Sequence, residues 1–401
     1  MSPRIDFEGP IRLCTLGLAL ATLVFSEAGA QDLAPLSPKQ NGGFFVPMLT
    51  AAQAFDDNLF FTQFPESDLV TRLTFGVETG YRSTPFTIDV QGSRAADFFQ
   101  QHSEFNTGRG RTVGQVALTA LPTKSLTVSM FACYLDTKTP SELNVASGLA
   151  VGRSLATRTS ATPMIEYRLG TFSTLTAAFP VAHDTLDGRI SDTMTGTAGL
   201  DRRITTRDTL SLRYEHRWFH FTGGPKTERS TADVVTFGWL GEVNDRTLLL
   251  LRAGPRYAKG AFTAEVLAVM KRRVHRGLLT LTYAKSQATT LGKTGALDTQ
   301  SLVATISLRV TRNIEIASGP GVYHNTLRAQ HLSAMRLNVE SLWHFSPWFH
   351  LGVAYSFDLQ QPDFGAPGHI RRGAFVVKLL TSKPQRRPEA AIAEPSESEF
   401  N

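Results

Sequence analysis

TLSLRYEHRWFHF, residues 209–221, decides how this chain is built. Leu210, Leu212, Tyr214 and Trp218 fall on one side of an extended strand, and Ser211, Arg213, Glu215 and Arg217 on the other, because successive side chains of a strand point to opposite faces. His216 alone departs from the apolar phase, and is expected to sit at a membrane interface beside Trp218. The segment is about twice as long as a common soluble strand. It is long enough to cross a bilayer when tilted.

The same period of two recurs along the chain. Residues 349–359 set Phe349, Leu351, Val353, Tyr355, Phe357 and Leu359 against His350, Gly352, Ala354, Ser356 and Asp358, and residues 335–343 interpose Arg336, Asn338 and Glu340 between apolar positions. Residues 69–81, 86–90, 126–134, 302–310 and 375–379 alternate less cleanly, and 153–167 and 261–271 are the least regular. Between segments lie very short turns at 82–85, 122–125, 169–171, 205–208, 244–246, 272–276, 311–313 and 345–347. The remaining connections are mostly longer and more polar: 57–67, 99–109, 138–152, 222–228, 287–297 and 361–370. That asymmetry predicts an all-β transmembrane antiparallel barrel of about 18 strands with short periplasmic turns, longer extracellular loops and both termini in the periplasm.

Charge is distributed as a barrel requires. Mid-strand positions on the apolar face hold almost no ionisable residue, since a Lys or Arg facing lipid at mid-bilayer costs roughly 2–4 kcal/mol. The opposite face carries Arg72, Glu78, Asp89, Arg203, Arg213, Glu215, Arg217, Arg252, Arg256, Arg309, Arg336, Glu340 and Asp358, the candidate lumen-lining residues, with Arg158, Glu166, Asp201, Glu265 and Lys378 in the same phase. So many charges in a packed core would each be costly unless paired, whereas a water-filled lumen removes that penalty. Arg203, Arg213, Arg217, Arg252 and Arg256 share the inward phase on nearby strands, which predicts a locally positive wall and a modest preference for anions. Tyr81, Phe86, Tyr167, Phe172, Trp343, Phe345, Trp348 and Phe349 sit near short turns and predict a periplasmic aromatic girdle.

The 401 residues would otherwise suggest two or three soluble domains, but beyond the first thirty no apolar run approaches the ~18 residues of a spanning helix. At the N-terminus, Arg4 and Arg12 precede the apolar stretch 13–25, and Ala28-Gly29-Ala30 precedes Gln31, the order of a secretory signal cleaved after Ala30. The expected organisation is a signal peptide at 1–30, a periplasmic lead-in at 31–43, the barrel at 44–382 and a disordered Pro-, Glu- and Ser-rich tail at 383–401. Cys133 is then the single thiol, which excludes an internal disulfide. The net charge of +6 comes from interleaved basic and acidic residues, so no nucleic-acid tract stands out.

Residues 55–60, Phe55-Asp56-Asp57-Asn58-Leu59-Phe60, followed by Ser67-Asp68-Leu69 and Gly80-Tyr81-Arg82, resemble the opening of a bacterial family of outer-membrane β-barrel porins. In that family an aromatic-Asp-Asp-Asn-apolar-aromatic segment ends the first strand and Ser-Asp begins the second. Some members are associated with exopolysaccharide export, and the resemblance therefore implies a polysaccharide passage with periplasmic export components as partners. Read from the residues alone, Asp56, Asp57 and Asn58 make a polar strand end, or an acidic cluster able to hold a cation at a channel mouth.

No H-E-x-x-H, phosphate-binding glycine loop, G-x-S-x-G or paired-Cys motif occurs, so no enzyme, metal or cofactor is expected. A barrel hydrolase and a surface adhesin are the lesser readings. The expected partners are outer-membrane lipid and the barrel assembly machinery in a Gram-negative outer membrane, and no nucleic acid. Within the channel class two readings stand: the polysaccharide passage favoured by the resemblance, and a general diffusion porin for small solutes. Residues 138–152 are the candidate for a long loop that folds in and narrows the lumen.

Overall fold

The computed structural model describes residues 42–381 except 225–226, 292, 328–329 and 364–367. The expected signal peptide, most of the lead-in and the C-terminal tail lie outside the described residues. The strands in chain order are β1 (Gly42–Asp56), β2 (Asp68–Arg82), β3 (Phe86–Phe99), β4 (Thr107–Thr123), β5 (Leu126–Thr137), β6 (Ala156–Arg168), β7 (Ser173–Ala178), β8 (Val181–Leu186), β9 (Arg189–Arg203), β10 (Asp208–Thr222), β11 (Glu228–Asn244), β12 (Thr247–Ala258), β13 (Ala261–Val274), β14 (Gly277–Ala288), β15 (Leu297–Arg309), β16 (Ile314–Leu327), β17 (Gln330–His344), β18 (Phe349–Gln360) and β19 (Ile370–Thr381). Apart from β7 and β8, every strand pairs antiparallel with its neighbours in the chain, and β1 closes the sheet on β19 from Leu49↔Thr381 to Asp56↔Ala374.

β7 and β8 are two halves of one strand. Both pair with β6 on one side and β9 on the other, and the interruption falls at Phe179-Pro180, where proline has no N–H to give the ladder. The result is a closed barrel of 18 strands, with no unpaired strand left over between first and last. Closure satisfies backbone groups that lipid cannot, so it is one of only two ways a chain can span a bilayer.

The outward phase is apolar: Phe75, Leu212, Phe237, Leu251, Leu302 and Phe375 are among its exposed side chains. Tyr81, Tyr167, Phe172, Trp343, Phe345, Trp348 and Phe349 are exposed near the short-turn rim, where ring faces meet lipid and polar atoms meet water. This surface is that of a Gram-negative outer-membrane protein. The long-loop rim is less uniform than the sequence alternation. Two of its connections, Asp187-Gly188 (φ 48° and 79°) and Lys259-Gly260 (φ 52° and 80°), are two-residue turns with positive φ at both positions, the mirror-type geometry that suits strand twist.

A candidate channel lumen

Residues 138–155, between β5 and β6, do not stand on the rim but fold into the barrel. The loop carries apolar residues unusual in an exposed connection, and each finds a different wall. Leu143 packs with Val113, Leu135, Ala156 and Leu186. Leu149 packs with Leu297, Tyr323, Leu332 and Ala334, and Ala150 with Phe61 and Ile370. The segment thus reaches from β4–β8 to β15–β19. Burying a leucine is worth about 2 kcal/mol, and the polar contacts add direction. The Asn144 Oδ1 accepts the Leu291 N–H at 2.9 Å, the Asn325 Nδ2 donates to the Ser147 carbonyl at 2.9 Å, and the Gln360 amide clasps Ala150 through both of its backbone groups at 2.8 and 2.9 Å. Gly148 has φ +63° and a Cβ there would lie 2.2 Å from the Tyr323 ring, so no other residue fits this crossing.

Below the loop, toward the short turns, lies a cavity of about 1490 Å³ bounded by β6–β14. Its roof is Leu143, Val145 and Ala146, and its opposite end reaches the turns at Thr206, Arg207, Asn244, Asp245, Arg246 and His275. The expectation of a wet inner face is therefore corrected in part: near the long loops the lumen is packed by residues 138–155, and the open chamber lies below them along β6–β14.

The charges divide accordingly. Beside the loop they are matched: Arg72 holds Asp97 at 2.7 Å, Arg111 holds Glu142 at 2.7 Å, Arg158 holds Asp184 at 2.6 Å, and Arg153 lies over the Phe99 ring at 4.3 Å. Arg309 meets Glu315 at 2.9 Å, Arg336 meets Asp358 at 2.8 Å, Lys378 meets Glu340 at 2.7 Å and Arg82 meets Asp89 at 2.9 Å. Glu78 is half-buried on β2, on the same wall as Asp89. The wall expected to be positive separates into three parts. Arg217 is clamped between Glu215 (2.6 Å) and Glu265 (2.7 Å), and Arg256 between Glu265 (3.2 Å) and Asp298. Arg203 sits near the short-turn rim over the Phe172 ring at 5.2 Å. Arg213 and Arg252 remain: Arg213 has Asp201 at 3.9 Å, Arg252 has no ion pair among the described residues, and the Nε of each is buried without a hydrogen-bond partner. Both line the chamber with Ser211, Thr195, Thr197 and Thr236.

The 55–60 motif has a structural assignment. Asp56 forms a 3.0 Å pair with Arg372 of β19, the Asp57 carboxylate accepts the Gly373 N–H at 2.6 Å, and Asn58 donates to the Arg371 carbonyl at 2.9 Å. Phe55 is exposed on the outer face, Leu59 packs with Val70 and Phe99, and Phe60 lies against His102 at 5.4 Å. The motif fastens the first strand to the last, and its carboxylates are taken up by that task. Asp68 organises the next loop, accepting the N–H groups of Leu69, Gln100, Gln101 and His102 and meeting the His102 ring at 2.9 Å. That hydrogen bond raises His102 above its ordinary value near 6.5, against the opposing effect of desolvation. The cation-site reading of the motif has no support: no cluster of metal ligands occurs among the described residues.

No family model matches this sequence, and no curated protein matches it. Solved structures similar to it include Pseudomonas aeruginosa OccK3 (OpdO), at 12% identity and TM-score 0.47 over 84% of this chain and 96% of that one. Pseudomonas aeruginosa OccK2 (OpdF) is similar at 11% identity and TM-score 0.46 over 86% and 100%. The siderophore receptor PirA from the same organism is similar at 8% identity and TM-score 0.43 over 86% and 81%. Likenesses of this degree leave the cargo open, and the argument for a channel rests on the barrel itself.

Proposed function

We propose that this protein is a diffusion channel for small water-soluble solutes, with residues 138–155 forming its narrow point and Arg213 and Arg252 giving a mild preference for anions. The observation that carries the reading is the loop that crosses the lumen from wall to wall above an open, Arg-bearing chamber. A chamber walled by Ser and Thr hydroxyls and two under-partnered guanidiniums hydrates a passing solute while attracting negative charge. The field of two guanidiniums fades over about 8 Å in physiological salt, so selectivity is modest. The short-turn rim faces the periplasm in this reading, and outer-membrane lipid and the assembly machinery are the partners it requires.

The polysaccharide reading has as support only the resemblance at residues 55–60, which the fold uses to close the barrel. A polymer passage would need the loop out of the lumen, with its three apolar contacts and the Gln360 clasp broken. Swelling of protein-containing liposomes in sugars of graded size separates the two. Monosaccharides should enter readily and linear oligosaccharides of several units should not. Equal rates for both would return the polysaccharide passage to first place.

A further inference from the structure

The barrel wall is not paired along its whole length. β13 stays on β12 as far as Ala261↔Ala258, and β14 stays on β15 as far as Ala288↔Leu297, yet β13 and β14 pair with each other only from Val266↔Lys285 toward the short turns. Ala261, Phe262, Thr263, Ala264 and Glu265 therefore have a ladder on one side and none on the other. Ser286, Gln287 and Ala288 are in the same position on the opposite bank. Residues 261–264 are exposed on both faces, whereas a strand held inside a closed wall alternates. Unpaired backbone is expensive wherever hydrocarbon faces it, so a split at the long-loop end of the wall needs a reason.

The chamber reaches this split from inside. Glu265 and Val266 line it on one bank, and Ser286, Gln287 and Ala288 on the other. A carboxylate bridges the two banks where the ladder stops: Glu265 Oε1 accepts the Gln287 backbone N–H at 3.3 Å while holding Arg217 and Arg256. On the outer surface one bank is apolar, with Phe262 75% exposed and its ring 5.0 Å from that of Tyr257. The other bank presents Lys285, in the outward phase of Leu281 and Tyr283, with no ion-pair partner among the described residues. An apolar bank facing a lone cation is complementary to an alkyl chain with an anionic head. Beyond the split, Arg213 and Arg252 offer that head a second resting place inside the chamber.

We propose that the gap between β13 and β14 is a lateral portal through which single-chain anionic amphiphiles pass from the outer leaflet into the chamber. The proposal rests on the channel reading, since the chamber must lead onward, and the two are tested by separate readouts. Thr263 and Ala288 share the inward phase and face each other when the β13–β14 register is extended. The variant Thr263→Cys/Ala288→Cys, in a Cys133→Ser background, closes the split on oxidation or with a short bis-maleimide. The probe is dodecyl phosphate labelled with nitrobenzoxadiazole, which stays charged at neutral pH, and its entry into vesicles is read as its transfer to entrapped serum albumin, which is too large for the channel. Crosslinking should slow entry by about fivefold or more, with recovery on reduction of the disulfide, while potassium chloride conductance stays within about twofold of the uncrosslinked protein. Equal entry before and after crosslinking overturns the portal, and loss of conductance in both states overturns the channel reading instead. Amide exchange in lipid nanodiscs decides independently of whether the pair crosslinks: the amides of residues 261–265 and 286–288 that point across the split, Gln287 among them, should exchange far faster than those of the paired Met270 and Leu281. Equal protection would mean the wall is closed there and no portal exists.

Discussion

Two arginines that look alike in sequence behave differently in place. Arg213 and Arg217 lie four apart on one strand and share the inward phase, but Arg217 is locked between Glu215 and Glu265 while Arg213 meets only Asp201 at 3.9 Å. Replacing Arg217 by Glu would leave two buried carboxylates facing a third, and removing one partner of such a network costs about 3–5 kcal/mol. Arg217→Glu should therefore lower the temperature at which the folded, fast-migrating band is lost on an electrophoresis gel. Arg213→Ser/Arg252→Ser should leave that temperature nearly unchanged and move the reversal potential under a salt gradient toward cations. Unchanged selectivity would remove these residues from the conduction path. In the loop after β3, the hydrogen bond to Asp68 raises the pKa of His102. The stabilisation from charged His102 is thus fully present below about 6.5, its ordinary value, and is lost as pH rises through the raised one. A ring titration by NMR should place His102 above 6.5, with return toward that value in Asp68→Asn, and a wild-type midpoint at or below 6.5 would contradict the assignment.

At the scale of elements, the strands were legible and the loop contacts were not. Period-two alternation needs only the chemistry of the two faces, so 209–221 and 349–359 could be read directly, and β10 and β18 span them. Residues 153–167 read poorly because the outward phase of β6 carries Thr157 and Thr159 beside Ile165 and Tyr167, while its inward phase keeps Arg158, Thr162 and Glu166. The split of β7 from β8 was signalled by Pro180 alone. The folded-in loop could be nominated by its length, but Leu143 and Leu149 were the sharper signal, since apolar side chains in an exposed connection ask for a surface to cover them. Its tethers Gln360, Asn325 and Leu291 come from distant strands and loops, and no local pattern marks them. The closing seam gives a prediction of its own. Arg372→Met strands the Asp56 carboxylate, 5% exposed, at the junction of first and last strands, and should destabilise the barrel by about 3–5 kcal/mol. Asp56→Asn/Arg372→Met should recover part of that loss in the same heat-modifiability assay. Failure of Arg372→Met to shift the transition would mean the seam is held by its ladder alone.

For the whole molecule, the central claim is that a loop-narrowed lumen conducts across the outer membrane from a chamber open toward the short-turn side. Orientation is checked by cysteine labelling in a Cys133→Ser background. Ser103 lies exposed on the long-loop rim and Thr123 exposed on the short-turn rim, so Ser103→Cys should react with an impermeant thiol reagent on intact cells and Thr123→Cys only after lysis. Ser141 is 6% exposed inside the barrel and is a poor reporter despite its loop position. The most direct test of the claim itself is single-channel conductance in a planar bilayer for wild type and for a variant in which residues 140–152 are replaced by a short Gly-Ser linker. The loop contributes the narrow point, so the wild type should conduct in small steady steps and the shortened protein in steps several-fold larger, since what remains is the open bore of an 18-strand barrel. Equal conductance in the two folded proteins, or none in either, would contradict the account.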